Sequence, residues 1–366
     1  MRKVIIVSTV GLIYDGITNI ILSYLKVMNK NNLQIFVVST GASERGIVRQ
    51  FEECGCYVIK LPPRREKPIE YFFKLAEFIR KNKIDIIHAH GNSATLAIEM
   101  VAGWLGGCRK RIAHSHNTKC DQVRADKILR PVFNLFYTDA IACGNEAGEW
   151  LFGSHPFMVL KNGRNVEEFL FNEEKRQKVR KEYKLDEKLV IGHVGGFFEQ
   201  KNHIFLVEIF RKILAQRPDA VLLLIGDGPL KSDIENMCQD IADSVIFLGT
   251  TDHVSDYLQA MDGMLLPSLF EGLPLVAIEW QLNGLPCVFS NTITKDCKIM
   301  ENTVFMPLTE NADMWAKKIL QLVKSNDRKK YSALAEKLIR KAGFDVEQNA
   351  EQLRSLYLCD TGGNCR

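Results

Sequence analysis

Two segments combine residue types and spacing that can do chemistry. In Pro267-Ser-Leu-Phe-Glu271-Gly-Leu-Pro274-Leu-Val-Ala-Ile-Glu279 a strand ends, a glycine turn follows, and Pro274 stands where a helix should begin. Proline at a first helical position loses nothing by lacking an N–H. The amides from Gly272 and Leu273 through Leu275 and Val276 are then available to an anion, because first-turn amides have no intrahelical acceptor and the helix dipole favours negative charge there. Glu271 lies in the turn and Glu279 two turns into the helix, so one carboxylate can meet a sugar while the other meets something further along; the competing reading is two solvated surface charges. The second segment, Gly192-His-Val-Gly195-Gly196-Phe-Phe-Glu-Gln-Lys201-Asn-His203, is again a strand, a glycine turn and a helix start. Gly195-Gly196 lets backbone approach a ligand, and Lys201 can reach a phosphate near the helix N-terminus. The spacing matches neither a Walker A loop nor Gly-x-Gly-x-x-Gly, so an ordinary strand-to-helix connection competes with it.

Four of the eight histidines fall at two expected strand ends, in Ile87-His88-Ala-His90-Gly91 and Arg111-Ile-Ala-His114-Ser-His116-Asn117. No acidic cluster accompanies them, and no metal is expected there. Ten cysteines are scattered, Cys143 and Cys287 within apolar segments, which suits small core residues in a reducing compartment. Cys54-x-Cys56 is the one close pair, with no second pair at metal-ligand spacing. In Ser8-Thr-Val-Gly11-Leu-Ile-Tyr-Asp15-Gly16-Ile-Thr18, Asp15-Gly16 reads equally as a turn and helix start.

These residues need elements to hold them. The 366 residues are 46% hydrophobic and 25% charged, with mean hydropathy −0.08, which suits two globular domains. Short β-branched runs (Val4–Ser8, Gln34–Ser39, Tyr57–Leu61, Ile84–His88, Arg111–His114, Ala140–Cys143) alternate with helical patterns such as Ile17–Met28, Ile69–Arg80 and Ser93–Leu105. The rhythm restarts with Val190–Val194, Ala220–Ile225, Val245–Leu248, Gly263–Leu266 and Cys287–Phe289. Apolar strands alternating with helices imply parallel sheets covered on both faces. The expectation is an α/β chain of two doubly wound units, residues 1–170 and 171–366, with a ligand cleft at the carboxyl ends of both sheets and the C-terminal helices packing across the back. The tail Thr361–Arg366 has nothing to bury and is expected to be unstructured.

Net charge is +4, yet residues 1–170 hold 23 Lys and Arg against 16 Asp and Glu, and the remainder 25 against 28. The stretch Pro62-Pro-Arg64-Arg65-Glu-Lys67-Pro-Ile-Glu-Tyr71-Phe72-Phe73-Lys74 joins basic to aromatic residues, a pairing that suits an anionic lipid surface and equally a solvated edge over a packed helix. No recognition helix or base-stacking motif points to nucleic acid. No apolar run spans a bilayer, and the first residues lead into a strand instead of a signal peptide, so a cytoplasmic protein is expected, with peripheral contact at the inner membrane face as an option.

The Glu-x7-Glu of Glu271 and Glu279, the Gly-Gly-Phe-x-x-Gln-Lys-Asn-His turn and Ile225-Gly-Asp-Gly-Pro229 together resemble glycosyltransferase family 4, over about residues 1–350, and most of all its bacterial capsular and exopolysaccharide enzymes. The resemblance implies a GT-B fold, no cofactor or metal, and transfer of a sugar with retention of configuration. The implied donor is a nucleotide-diphosphate sugar, a UDP-sugar first among them, and the implied acceptor a glycan or lipid-linked molecule on the N-terminal domain. Carried over by motif, Glu279 would bind the donor ribose, Glu271 would face the donor sugar, Lys201 would hold the diphosphate, and His116 (or His114) would be the histidine near the sugar. Gly16 would lie beside the diphosphate. The Asn162-Gly163-Arg164-Asn165 turn resembles a crossing between domains and reads as structural. One departure stands out: the family usually has Arg, a second cation for the diphosphate, where this chain has Gly196. Two alternatives therefore stand beside the transferase: a nucleotide-sugar epimerase, for which acid and base carboxylates are missing, and a weakly catalytic nucleotide-sugar-binding subunit.

Overall fold

A computed structural model describes residues 1–41 and 43–359; the expectation for Thr361–Arg366 lies outside them. The chain forms two compact units, Met1–Gly163 with the segment from Asp345, and Arg164–Phe344.

In the first unit, β1 (Arg2–Ser8), α1 (Gly16–Val27), β2 (Leu33–Ser39), α2 (Arg45–Glu53), β3 (Tyr57–Lys60), α3 (Pro68–Asn82), β4 (Ile86–His90), α4 (Ala97–Gly106), β5 (Lys110–Ser115), α5 (Val123–Phe136), β6 (Asp139–Ala142), α6 (Asn145–Phe152) and β7 (Met158–Val159) follow in order. Their strands form one parallel sheet, β3-β2-β1-β4-β5-β6-β7. Val4 to Val7 are buried throughout, as strands covered on both faces must be. Helix α4 packs between α3 and α5 over Ile5, Val7 and Ile87, whereas α1 packs with α2 and with the last helix of the chain. The register pairs Ser8 with His90 and His90 with His114, so three strand ends lie side by side.

The second unit contains α7 (Val166–Phe169), α8 (Glu173–Glu182), β8 (Leu189–Val194), α9 (His203–Gln216), β9 (Ala220–Ile225), α10 (Lys231–Met237), β10 (Val245–Phe247), α11 (Val254–Ala260), β11 (Gly263–Leu266), α12 (Leu275–Leu282), β12 (Cys287–Ser290), β13 (Thr303–Met306), α13 (Ala312–Lys324) and α14 (Arg328–Lys341). Its parallel sheet runs β10-β9-β8-β11-β12-β13. Strands β8 and β11 are neighbours, which brings the turn after Val194 beside the loop after Leu266.

Two features differ from expectation, the boundary between the units and the place of the final helix. The units divide at Gly163–Arg164, ahead of residue 170. The charged stretch after Phe169 includes α8, capped by the Asn172 side chain on the Lys175 amide (2.9 Å), with Glu173 and Glu174 in the first turn and Arg180 and Lys181 in the last; that charge order suits the helix dipole. The final helix α15 (Val346–Leu358) leaves the second unit and packs on α1, burying Val346, Ala350, Leu353 and Tyr357. It therefore belongs to the first unit, while α13 and α14 stay with the second.

Candidate functional site

The second unit builds its site from two loops bound to each other. After β8 the Gly195 amide donates to the Ile225 carbonyl (2.9 Å) and the Phe197 amide to the Asp227 carbonyl (3.0 Å). This contact is close enough to exclude side chains. A Cβ on Gly226 (φ +145°) would lie 2.1 Å from the Gly195 oxygen, and one on Gly228 (φ +157°) 2.7 Å from the Phe197 oxygen. The glycines of Gly226-Asp-Gly228 are thus required by backbone approach. On its other side the same turn holds the β11 loop: Leu269 N–H donates to the Gln200 carbonyl (2.8 Å), and Asn202 Nδ2 to the Pro267 carbonyl (3.1 Å).

Between the loops Lys201 Nζ donates to Glu271 Oε1 at 2.5 Å. The same oxygen accepts from Ser268 Oγ (2.9 Å), while Glu271 Oε2 accepts from Gln200 Nε2 (3.0 Å). Both side chains are largely buried, at 17% and 9% exposed. The expected ligand cation and carboxylate are therefore brought together, each neutralising the other. Gly272, Leu273 and Pro274 lead from this pair into α12. Pro274 is one residue earlier than expected, the N-cap, and Leu275 is the first helical residue, with no side-chain cap. The amides of Leu275 and Val276 keep the freedom that helix geometry gives first-turn donors.

Glu279 is the fifth residue of α12, a little over one turn in instead of two, and is buried. Arg164 Nε donates to its Oε1 at 2.6 Å. Burial pushes this carboxyl up from its ordinary range, and the Arg164 guanidinium opposes that rise. Arg164, in a turn that reads as structural, thus clamps a carboxylate 115 positions away.

At Gly196, the departure from the family pattern, φ is not positive. A Cβ there would meet the Phe198 ring at 2.6 Å and the Asp227 oxygen at 3.4 Å. The Phe198 ring, half exposed, occupies the space beside the missing side chain. Below the turn are two buried imidazoles. His193 Nδ1 lies 2.8 Å from the Leu265 carbonyl, which makes it the N–H and leaves Nε2 bare. Burial pushes His203 down to about 4, and its ring stacks on Phe197 at 4.2 Å.

In the first unit the four strand-end histidines meet as one stack. His88 Nδ1 lies 2.6 Å from the Tyr357 hydroxyl and His88 Nε2 3.3 Å from His114 Nδ1; His90 Nδ1 lies 2.8 Å from His116 Nε2. Ring centroids are 4.1 Å apart for His88 and His90, and 4.2 Å for His114 and His116. Burial holds every ring neutral, His88 down to about 3 and His116 to about 4. Nitrogens of His88, His90 and His114 lie within 4.8 Å of one another, whereas a tetrahedral ion wants ligands ~3.4 Å apart. Both His88 nitrogens are already engaged. His114 is fully buried, and His116, partly exposed, takes Asn92 Oδ1 on its amide (3.1 Å).

Gly16 opens α1 in open space, and the Asp15 carboxylate caps the helix by accepting from Thr18 N–H at 2.8 Å. A cavity that no sequence motif marks opens beside these strand ends, lined by Thr9, Arg64, Arg65, Asn92, Asn117 and Lys119. Its buried Arg64 is held by Glu99 through two bonds of 2.6 and 3.0 Å and by the Thr95 carbonyl at 2.9 Å. Planar two-point pairing of this kind fixes a guanidinium in place.

Residues 14–155 match the family model "Glycosyltransferase Family 4" and residues 188–325 the model "Glycosyl transferases group 1". Putative glycosyltransferase EpsF of Bacillus subtilis is 29% identical, over 96% of this chain and 95% of its own. An Escherichia coli protein described as UDP-Gal:alpha-D-GlcNAc-diphosphoundecaprenol alpha-1,3-galactosyltransferase is 26% identical, over 80% of each chain. Among solved structures, Anabaena HepE, crystallised with UDP, superposes with a TM-score of 0.77 at 17% identity, covering 97% of this chain and 99% of its own. With both halves matched and both sheets in place, the chain belongs to glycosyltransferase family 4 and has the GT-B fold.

Proposed function

We propose that this chain transfers a sugar, with retention, from a nucleotide-diphosphate sugar, in first place a UDP-sugar, to a glycan or lipid-linked acceptor in the assembly of a surface polysaccharide, at the cytoplasmic side of the membrane and without metal or cofactor. The observation that carries this reading is the Lys201–Glu271 pair set beside the uncapped amide end of α12. A diphosphate arriving there competes with Glu271 for Lys201 and takes the amides of Gly272 to Val276. Glu271, still held by Ser268 and Gln200, is then released to face the sugar. Glu279, oriented by Arg164, accepts from ribose hydroxyls. As the bond from the anomeric carbon to the diphosphate oxygen breaks, charge grows on the leaving group, and Lys201 and the amides stabilise it more than the ground state. In the first unit the cavity at Arg65 and Lys119, which His116 adjoins through its amide hydrogen bond to Asn92, takes the acceptor. EpsF, the galactosyltransferase and the UDP complex of HepE support this reading. The family match sets the epimerase alternative aside.

Screening nucleotide sugars by thermal shift tests the proposal. A cognate donor at a hundred times its Kd adds about 2.7 kcal/mol of stability, and a panel with no stabilising member would contradict it. The binding-subunit reading keeps one observation in its favour, the Phe198 ring standing where the family has a cation. It requires donor binding without turnover, which the same protein assayed with acceptor would reveal.

A further inference from the structure

We infer that the outer face of α5, with the adjoining end of α4, lies on an anionic bilayer surface. Among the described residues no helix is long and apolar enough to cross a membrane. Helix α5 turns Phe133 inward, to zero exposure, and carries Ile128 (75% exposed), Val132 (38%) and Leu135 (76%) on the opposite side. At 100° per residue these three fall within an arc of about 60°, with Arg124 about 20° beyond its edge at the N-terminal end. The apolar strip continues onto α4, where Trp104 is 53% exposed and meets the Phe136 ring edge-on at 5.2 Å, with Leu105 beside it. Isolated exposed apolar side chains are ordinary, but a contiguous strip spanning two helices is a contact surface.

The rim of the strip chooses the occupant. Arg124 and Lys127 are exposed at the N-terminal end of α5. At the other end Arg80 Nη2 donates to the Leu105 carbonyl (3.0 Å), Arg111 Nε donates to the Phe136 carbonyl (2.5 Å), and Arg109, in the α4–β5 connection, is exposed. The acidic residue of α5, Asp126, is buried and already paired with Arg130 at 2.7 Å. An apolar strip bearing a tryptophan and flanked at both ends by cations matches the boundary between acyl chains and anionic headgroups. A second copy of the chain fits worse, because a two-fold contact would set these cations against their own images. The basic and aromatic stretch at residues 62–74 is a different surface, and this inference does not rest on the donor reading above.

The test is co-sedimentation of the full chain with vesicles of phosphatidylcholine, with and without phosphatidylglycerol. Binding is expected only with phosphatidylglycerol and is expected to weaken with salt. Ile128→Ser with Leu135→Ser should lower it roughly tenfold or more, as should Arg124→Glu with Lys127→Glu. Both double variants change exposed positions, and calorimetric UDP binding, expected unchanged, would show that they fold. A wild-type chain that stays in the supernatant, or variants that sediment as well as wild type, would overturn the inference. A dimer in light scattering that the Ile128→Ser, Leu135→Ser variant dissociates would assign the face to a second copy instead. Failure of UDP binding in every form would count against the donor reading alone.

Discussion

The two sheets present opposite chemistries at their carboxyl ends. The first unit fills the space beyond β4 and β5 with four neutral imidazoles bonded mainly to each other and to Tyr357. The second fills the space beyond β8 and β11 with ion pairs, Lys201 with Glu271 and Arg164 with Glu279, next to a helix amide end. The same strand-to-helix grammar thus yields one end of uncharged, mutually bonded imidazoles and another of paired opposite charges. Fold alone would not distinguish them; the side chains at the strand ends do.

Acid should separate the units most strongly. Unfolded histidines protonate near pH 6.5, whereas burial holds His88 to about 3, and His116 and His203 to about 4. Between those values the unfolded chain binds more protons, so stability falls as pH drops from 6.5 towards 4, by up to about 3 kcal/mol per ring. The first unit has four such rings, and the second, with His193 and His203, has two. Hydrogen exchange at pH 7 and pH 5 should show the first unit losing more protection; equal losses would mean that the imidazole stack is not neutral as described.

The ion-paired end should then dominate catalysis. Lys201→Ala is expected to lower kcat about a hundredfold while changing donor affinity less, since leaving-group charge grows in the transition state. A rise in KM alone would make Lys201 a ground-state anchor. Arg164→Ala should weaken UDP binding about tenfold by loosening Glu279, less than the loss of Glu279 itself. Affinity equal to wild type would leave Arg164 a purely structural cation. The smallest effect is expected at Gly196. Its backbone angle accepts any residue, and the obstacle is the half-exposed Phe198 ring, which can swing away. Gly196→Arg should therefore keep its Tm within a few degrees and tighten UDP by up to about tenfold. A sharp fall in Tm would show that Phe198 is fixed.

Local signals were legible in the sequence and long-range ones were not. Strand-and-helix alternation carried the two parallel sheets, because period and run length are local. The meeting of Lys201 with Glu271 followed from two turns on strands that proved to be neighbours. Arg164 escaped notice because its partner is on a distant helix, and nothing in Asn-Gly-Arg-Asn marks a carboxylate clamp. The return of α15 to the first unit was hidden as well, since its apolar face would suit either unit. The need for glycine at 226 and 228 shows only once the Gly195 turn is seen resting on it. The imidazole stack was half visible: four histidines at two strand ends were evident, but their mutual hydrogen bonding depends on the register of β4 with β5.

A nucleotide diphosphate is expected to bind at the ion-paired end of the second unit. Titration calorimetry of UDP into wild type, Glu279→Ala and His116→Ala tests it most directly. Binding to wild type is expected, with a loss of about 1.5–3 kcal/mol in Glu279→Ala and little change in His116→Ala, a substitution in the other unit. Unchanged affinity in a folded Glu279→Ala protein, or loss in His116→Ala alone, would contradict it.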